Sequence, residues 1–406
     1  MHSMFGFQGP VGRALFLSAC AAIGALVLVA AAEVTFSQAH SSIAADVADL
    51  RGVACMESVE RTRYASRVPS GAACAQIVAG ANDSPGSPEW RSRLRLDVRA
   101  SANGDQFSLT DPGPFEKTDI GGMLAAAAAG SGEFSAFLTK TIAADPSAFQ
   151  PRGAQQTSIG SLTAFAFTLP PAGGASTHGT LFVTSDTGDL RRLVFETANT
   201  GDACMVRYTT DYATTRIGER YVLVPRDSTM EAFLKDGTER RNTSYFSGCR
   251  RPDAAAAAAA APAAKTDLPA IPPGTRFRAR IEPSIEALTA ATGDPVTAVI
   301  RTTVKNKQKE IIVHAGDRLH GRIALIEQYL APSPHWNIAI EFETIERGVG
   351  VNGIDQGVEQ PVSLAPVDVA SSPEAEKLRP PNGMYYTLAG PSPVLGSSYD
   401  TDWETR

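Results

Sequence analysis

Few side chains in this sequence stand at spacings that do chemistry. The six histidines are His2, His40, His178, His314, His320 and His335. His314, on a strand, and His320, after a turn, can approach each other across a hairpin. No carboxylate or cysteine stands near them at ligand spacing, so both read as solvated. Asp186 and Asp189 flank a turn glycine, where Asx hydrogen bonds to nearby amides explain them better than acid–base work. The chain has no nucleophile elbow, phosphate-binding loop, paired-histidine zinc helix or dinucleotide fingerprint. No enzyme activity, cofactor or metal is expected.

Of the five cysteines, Cys20 lies in an apolar run near the N-terminus. Cys55, Cys74, Cys204 and Cys249 remain, an even set that allows three pairings. The expected pairing is between sequence neighbours, Cys55 with Cys74 and Cys204 with Cys249. Four buried free thiols are the alternative, which export would disfavour. A zinc site is not expected, because no two cysteines stand at C-x-x-C spacing and no histidine is near any of them.

Residues 14–32 form that apolar run, broken only by Ser18 and Gly24. Arg13 precedes it, and Ala30-Ala31-Ala32 before Glu33 offers a small-residue cleavage site, so the first reading is a signal peptide. The run is also long enough for a retained membrane anchor. A third reading takes Leu17-Ser18-Ala19-Cys20 as a lipobox, although the strongest apolar stretch follows that cysteine rather than preceding it. All three readings export the protein to the periplasm or cell envelope, with membrane contact possible through residues 14–32.

The chain has 406 residues with 43% apolar and 20% charged side chains, which places it among globular proteins with room for two domains. With 37 basic against 43 acidic residues the net charge is −6, not the footprint of a nucleic-acid-binding protein. Residues 253–274 hold eight consecutive alanines followed by several prolines and read as a semi-rigid linker. This divides the chain into a first domain at 41–252, a second at 275–347 and a loop-rich tail at 348–406. Residues 359–381 are rich in Pro, Ser and Glu and suggest a long loop.

The first domain is strand-dominated. Leu94, Leu96 and Val98 alternate with Arg95, Asp97 and Arg99, and Asn103-Gly104 then marks a hairpin. Phe165, Phe167 and Leu169 share a face. The strands 180–184 and 190–195 are joined by the turn 185–189, and a meander continues through 204–212 and 219–225 to a turn at 235–238 and a strand at 238–246. Residues 122–144 break the pattern. They read as two short helices split at Gly130-Ser131-Gly132, with Ser131 as N-cap and Phe134, Phe137, Leu138 and Ile142 at helical spacing. An ordinary amphipathic helix on a sheet face explains them; the sharper reading is a lid over an apolar cavity.

The second domain reads as a compact twisted sheet or small barrel built from 275–281, 296–303, 311–314, 319–326 and 336–345. The pair 384–388 and 399–405 returns to it. Arg240, Arg241, Arg250 and Arg251, and the alternating Arg276, Arg278 and Arg280, read as solvated faces; contact with anionic headgroups is the alternative. Asn242-Thr243-Ser244 matches the glycosylation acceptor, a motif short enough to occur by chance.

Two stretches carry a resemblance. In the first, Val183, Asp186, Thr187, Leu190, Arg192 and Leu193, with Phe182 before them, form one hairpin pattern. Tyr212, Ile217, Gly218, Leu223 and Pro225 follow one strand later. This resembles exported bacterial proteins of the lipoprotein-sorting type, which share a half-barrel fold with the periplasmic lipoprotein carrier. In the second, Gly274, Thr275, Gly293, Asp294, Val296, Ala298, Val299, Gly316, Gly321 and Ile323 resemble small β-barrel modules of envelope secretion proteins, with His314 where proline is usual.

The resemblance implies a mainly β fold with a few helices: a half-barrel antiparallel sheet with a helical lid, plus a second small β-barrel-like domain. It further implies an apolar concave face that holds acyl chains, and hence a lipid or lipidated protein as partner. The candidate wall residues are Leu96, Val98, Phe165, Phe167 and Phe195, with Phe134 and Phe137 on the lid; packed core is the plainer reading of each. If the interior is filled, the expectation becomes a scaffold or regulator that binds other envelope proteins. Periplasmic regulators of stress sigma factors also pair a half-barrel with a smaller domain. A hydrolase is the remaining class, and nothing supplies a nucleophile with a base.

Overall fold

The computed structural model describes residues 34–69, 71–81, 85–102, 104–109, 133–157, 160–172, 175–252, 270–348, 357–367, 383–396 and 399–406. The apolar run 14–32, the Gly130–Gly132 break with its Ser131 cap, the alanine tract and much of 359–381 lie outside them. Among the described residues no helix is long and apolar enough to cross a membrane.

The first part of the chain contributes helices α1 (Phe36–Leu50), α2 (Cys74–Ala81) and α3 (Ala136–Ile142). Its strands are β1 (Ala54–Tyr64), β2 (Pro88–Ser101), β3 (Gly104–Ser108), β4 (Phe149–Thr157), β5 (Gly160–Ala172), β6 (Ala175–Thr184), β7 (Leu190–Thr200), β8 (Ala203–Ile217), β9 (Arg220–Leu234) and β10 (Glu239–Arg250). They pair antiparallel in the order β4-β5-β6-β7-β8-β9-β10-β1-β2-β3. The meander from β4 to β10 follows sequence neighbours, as the turn residues predict. Asp186 and Asp189 hold the β6–β7 turn, where the Thr187 amide and hydroxyl donate to their carboxylates.

One long-range step then closes the order: β10 turns back onto β1. That step corrects the expected disulfides. The bridges are Cys55–Cys249 and Cys74–Cys204, with Cα–Cα distances of 4.0 and 5.2 Å. Ala54 pairs with Arg250, so Cys55 meets Cys249 across neighbouring strands, while Cys74 opens α2 and ties it to β8. Sequence neighbours are carried apart because each sits on a different element.

The second part contributes β11 (Arg276–Ile281), β12 (Ile285–Glu286), β13 (Pro295–Ile300), β14 (Val304–Lys305), β15 (Ile311–Val313), β16 (Arg318–Tyr329), β17 (His335–Arg347), β18 (Val358–Pro361), β19 (Leu364–Pro366), β20 (Gly383–Ala389), β21 (Val394–Leu395) and β22 (Asp400–Thr405). Its main ladder runs β17-β16-β13-β11-β22, and β20 adds to β17 as the returning pair predicts. The segment 358–366 pairs first with β17 through β18 and then with β22 through β19. Its core packs Trp403 edge-on against Phe342. Arg276, Arg278 and Arg280 each face an acid on β22, namely Glu404, Asp402 and Asp400, so this basic row is neutralised within the sheet. Asn242 is buried on β10, which hides the glycosylation motif.

The two parts share an edge. At the end of β16, Glu327, Gln328 and Tyr329 pair with Ser92, Arg91 and Trp90 of β2, beside the stretch where β2 pairs with β3. The fold is thus mainly β, with one extended antiparallel sheet and few helices.

Candidate functional site

The inner face of the first sheet is set by strand alternation, and its register makes continuous rows across many strands. One row runs Phe165, Leu181, Leu193, Thr210, Ser228, Ser244, Val59 and Leu94 from β5 to β2. Every member is buried. Its ends are apolar and its middle is hydroxylic, with Thr210 and Ser228 hydrogen-bonded at 2.9 Å. The polar seam separates two apolar clusters, one holding Phe165, Phe167 and Phe195, the other Leu96, Val98 and Phe134.

The next row carries a stronger gradient. It runs Phe149, Phe167, Gly179, Phe195, Tyr208, Met230, Asn242, Arg61, Ser92 and Glu327. One end is aromatic and the other ionic. Rings link up along the aromatic end: Phe36 of α1 stacks on Phe149 at 4.4 Å, Phe137 of α3 stacks on Phe195 at 3.5 Å, and Phe195 stacks on Tyr208 at 4.7 Å. Gly179 stands directly between Phe167 and Phe195, and a Cβ there would lie 2.6 Å from the Val194 carbonyl and collide with the Phe167 ring. The glycine leaves room for that ring on the inner face.

At the ionic end Arg61 is only 3% exposed. Its Nη2 donates to Ser92 Oγ at 2.6 Å and its guanidinium lies 5.5 Å from the Trp90 ring centre. Nε and Nη1 have no hydrogen-bond partner among the described residues. Burial lowers the Arg61 pKa to about 10, opposed by the charge of Glu327. Glu327 is itself buried, which raises its pKa, and it accepts a hydrogen bond from Tyr329. A buried cation with idle donors is costly unless something charged or polar meets it.

Two helices cover the face. The α1 helix starts at a capping box in which Gln38 N–H donates to Thr35 Oγ1 and the Thr35 amide donates to Gln38 Oε1. Ala39, Ile43, Val47 and Leu50 form its buried stripe. The α3 helix follows the expected spacing of Leu138 and Ile142, though its N-cap position is Ser135. Its last turn is tied to α1, where His40 Nε2 meets the Ile142 carbonyl at 2.9 Å.

The start of α3 rests on two buried carboxylates. Glu133 Oε1 accepts from the amides of Phe137 and Leu138 at 2.7 and 3.0 Å, and Asp105 on β3 accepts from those of Ser135 and Ala136. These bonds favour ionised forms. Desolvation outweighs them: burial, then the neighbouring Asp105, pushes Glu133 up to about 8, and burial raises Asp105 as well. Burial raises the Tyr208 and Tyr212 phenols, with Glu133 adding to both and Asp105 to Tyr212 alone.

A folded-state pKa above the unfolded one means the native state holds the extra proton. Stability is then full below about pH 4.5 and is lost as pH rises through about 8. Asp46 on α1, raised to about 6 by burial and by Asp189 and Asp49, acts in the same direction but is spent by then. The unfolding free energy is therefore expected to fall between pH 6 and 8 by at least about 1.4 kcal/mol, the worth of one pKa unit. Glu133→Gln should remove most of that slope in urea titrations; an unchanged slope would place the proton elsewhere.

All seven expected wall and lid residues fall within the covered interior. Phe137 is partly buried and the other six are buried. Sequence reasoning did not single out the seam, Gly179 or Arg61. One signal was present: Glu57 and Arg61 stand in the same phase of β1 as Cys55 and Val59, so two charged residues occupy inward positions. His314 and His320 serve the second part locally, with His320 Nε2 3.1 Å from Glu346 and the His314 amide donating to Asp317.

No protein family and no curated protein matches the sequence. Among solved structures, a LolA superfamily protein from Nitrosomonas europaea aligns with 53% of this chain and 94% of its own at 10% identity, with a TM-score of 0.25. A domain from Vibrio parahaemolyticus assigned to outer membrane lipoprotein sorting aligns with 52% and 92% at 9% identity, again with a TM-score of 0.25.

Proposed function

We propose that this protein is a non-catalytic, exported binder of an amphipathic lipid or an acylated partner. The acyl chain would lie along the inner row at Phe167, Phe195 and Tyr208, and an anionic head would meet Arg61. The observation that carries this reading is the gradient of that row, from linked aromatic rings to a buried arginine with two idle donors. Each buried methylene adds about 0.8 kcal/mol, so a short stretch of face suffices to hold a chain. The covering helices supply the route. The α3 helix is seven residues long and rests on two carboxylates whose ionisation weakens its seat, so it is the element to yield when a chain enters. Two disulfides in the described chain support an oxidising compartment.

The near-complete burial of Phe165, Phe167 and Phe195 favours a second reading, a scaffold that binds envelope proteins with its interior filled. Titration with the fluorescent fatty acid cis-parinaric acid separates the two. The lipid reading predicts saturable one-to-one uptake. Arg61→Met should weaken binding of the acid by about tenfold, as loss of a hydrogen bond to a charged group does, and leave its methyl ester almost unaffected. Absence of saturable uptake would favour the scaffold.

A further inference from the structure

The opposite face of the same sheet carries a second row, formed by residues that alternate with the inner ones. Glu196, Arg207, Glu231 and Arg241 stand side by side on β7, β8, β9 and β10. The charges alternate and pair: Arg207 meets Glu196 at 2.6 Å and Glu231 at 3.7 Å, and Arg241 meets Glu231 at 2.8 Å. The row continues through Thr62 and Arg91 into the second part of the molecule at Gln328 and Trp336. At Arg91 the alternation stops. Arg91 is exposed, its guanidinium has no ion pair or hydrogen bond among the described residues, and the next position, Gln328, holds no carboxylate.

A cavity of about 420 Å³ lies at that point, lined by Arg91, Arg93, Arg241, Glu60 and Trp336 among others. Trp336 is 4% exposed, yet its Nε1 has no partner among the described residues, and Arg241 Nε is likewise unpartnered. Arg93 is fixed in place: it donates to the carbonyls of Ala287, Leu288 and Ala290, and its guanidinium sits 5.9 Å from the Trp336 ring centre. The acids nearby are already committed or solvated. Glu231 and Glu239 pair with Arg241, and Glu60 is exposed. Leu288 and Ile326 give the wall an apolar side.

We propose that this cavity is a binding site for a small organic anion, a phosphate monoester or carboxylate on a compact apolar body. The anionic oxygens complete the charge row at Arg91 and accept from Trp336 Nε1, and the body packs against Leu288 and Ile326. A volume in this range suits a small molecule rather than a membrane surface. Because the lining comes from both parts of the chain, the ligand also fastens one to the other. Arg61 and Ser92 also line this cavity, so it adjoins the ionic end of the inner row, and the Arg91→Ala variant tests it apart from the Arg61→Met variant of the lipid reading.

The test titrates the full chain with phenyl phosphate by calorimetry and by tryptophan fluorescence, with phosphatidylglycerol vesicles as the membrane arm. The expected result is saturable one-to-one binding of phenyl phosphate. Arg91→Ala should weaken it by about tenfold with unchanged thermal unfolding, and Trp336→Phe should weaken it while abolishing most of the fluorescence change. The proposal is overturned by any of three results: no saturation, equal binding by wild type and Arg91→Ala, or Arg91-dependent binding to vesicles but not to phenyl phosphate.

Discussion

Replacing Cys55 and Cys249 together with alanine is expected to lower the unfolding free energy by about 2–5 kcal/mol. The bridge spans a sequence separation of 194, so in the chain-entropy account its loss frees a very large loop in the unfolded state. It also fastens β10 to β1, the one step in the first sheet's order that joins strands far apart in sequence. The Cys74–Cys204 bridge spans 130 residues, and the loop-closure cost grows only logarithmically, so its entropic share is nearly the same. The difference between them lies in packing. Cys55 is fully buried in the cluster of Val59, Leu96 and Val98, whereas Cys74 ties a short helix to a smaller cluster around Ile77 and Phe233. The first double variant should therefore be the less stable of the two in urea unfolding. A loss under about 1 kcal/mol for both would contradict the pairing as a constraint on the chain.

The second large effect is expected at Gly321, on β16 where the register shifts beside β17. A Cβ there would collide with the Glu341 carbonyl oxygen and lie 2.6 Å from Phe342 Cα, both backbone atoms of the paired strand. Backbone cannot rotate away as a side chain can, so Gly321→Ala should cost about 3 kcal/mol, the upper end of overpacking penalties. Gly80 gives the matching control. It lies in α2, and its added Cβ would meet only Val68 Cγ1 at 3.6 Å, an ordinary contact. Gly80→Ala should leave stability unchanged or raise it by about 0.5–1 kcal/mol, because alanine loses less conformational freedom in a helix. Denaturation of the two variants side by side checks both, and a Gly321→Ala protein as stable as wild type would show that the strands separate at the bulge.

Much of this architecture can be read from alternation and turns, because both are local. Phe165, Phe167 and Leu169 show their shared face in the sequence, and Ser185 to Asp189 shows its turn. The motif glycine at 321 is visible as well, but its reason, a backbone approach, exists only once β17 is beside it. What is not legible depends on partners distant in sequence. The closure of β10 onto β1 decides the disulfides, and the β2–β16 edge decides which charges meet. Thr210, Ser228 and Ser244 look like solvent-facing strand residues until the register lines them up on the buried face, where Ser228 Oγ accepts from the Glu133 amide. Arg61 and Arg91 look alike in sequence, yet the first is buried and the second exposed, although both line the same cavity.

The central claim, that the inner face holds an acyl chain, is tested most directly by native mass spectrometry of the chain purified without detergent. The account predicts a population carrying an adduct in the mass range of a membrane lipid, with both disulfides intact. It further predicts that the adduct is lost in Phe167→Glu/Phe195→Glu protein that keeps the wild-type circular dichroism spectrum. A bare polypeptide mass for wild type, or the same adduct occupancy in that variant, would contradict it.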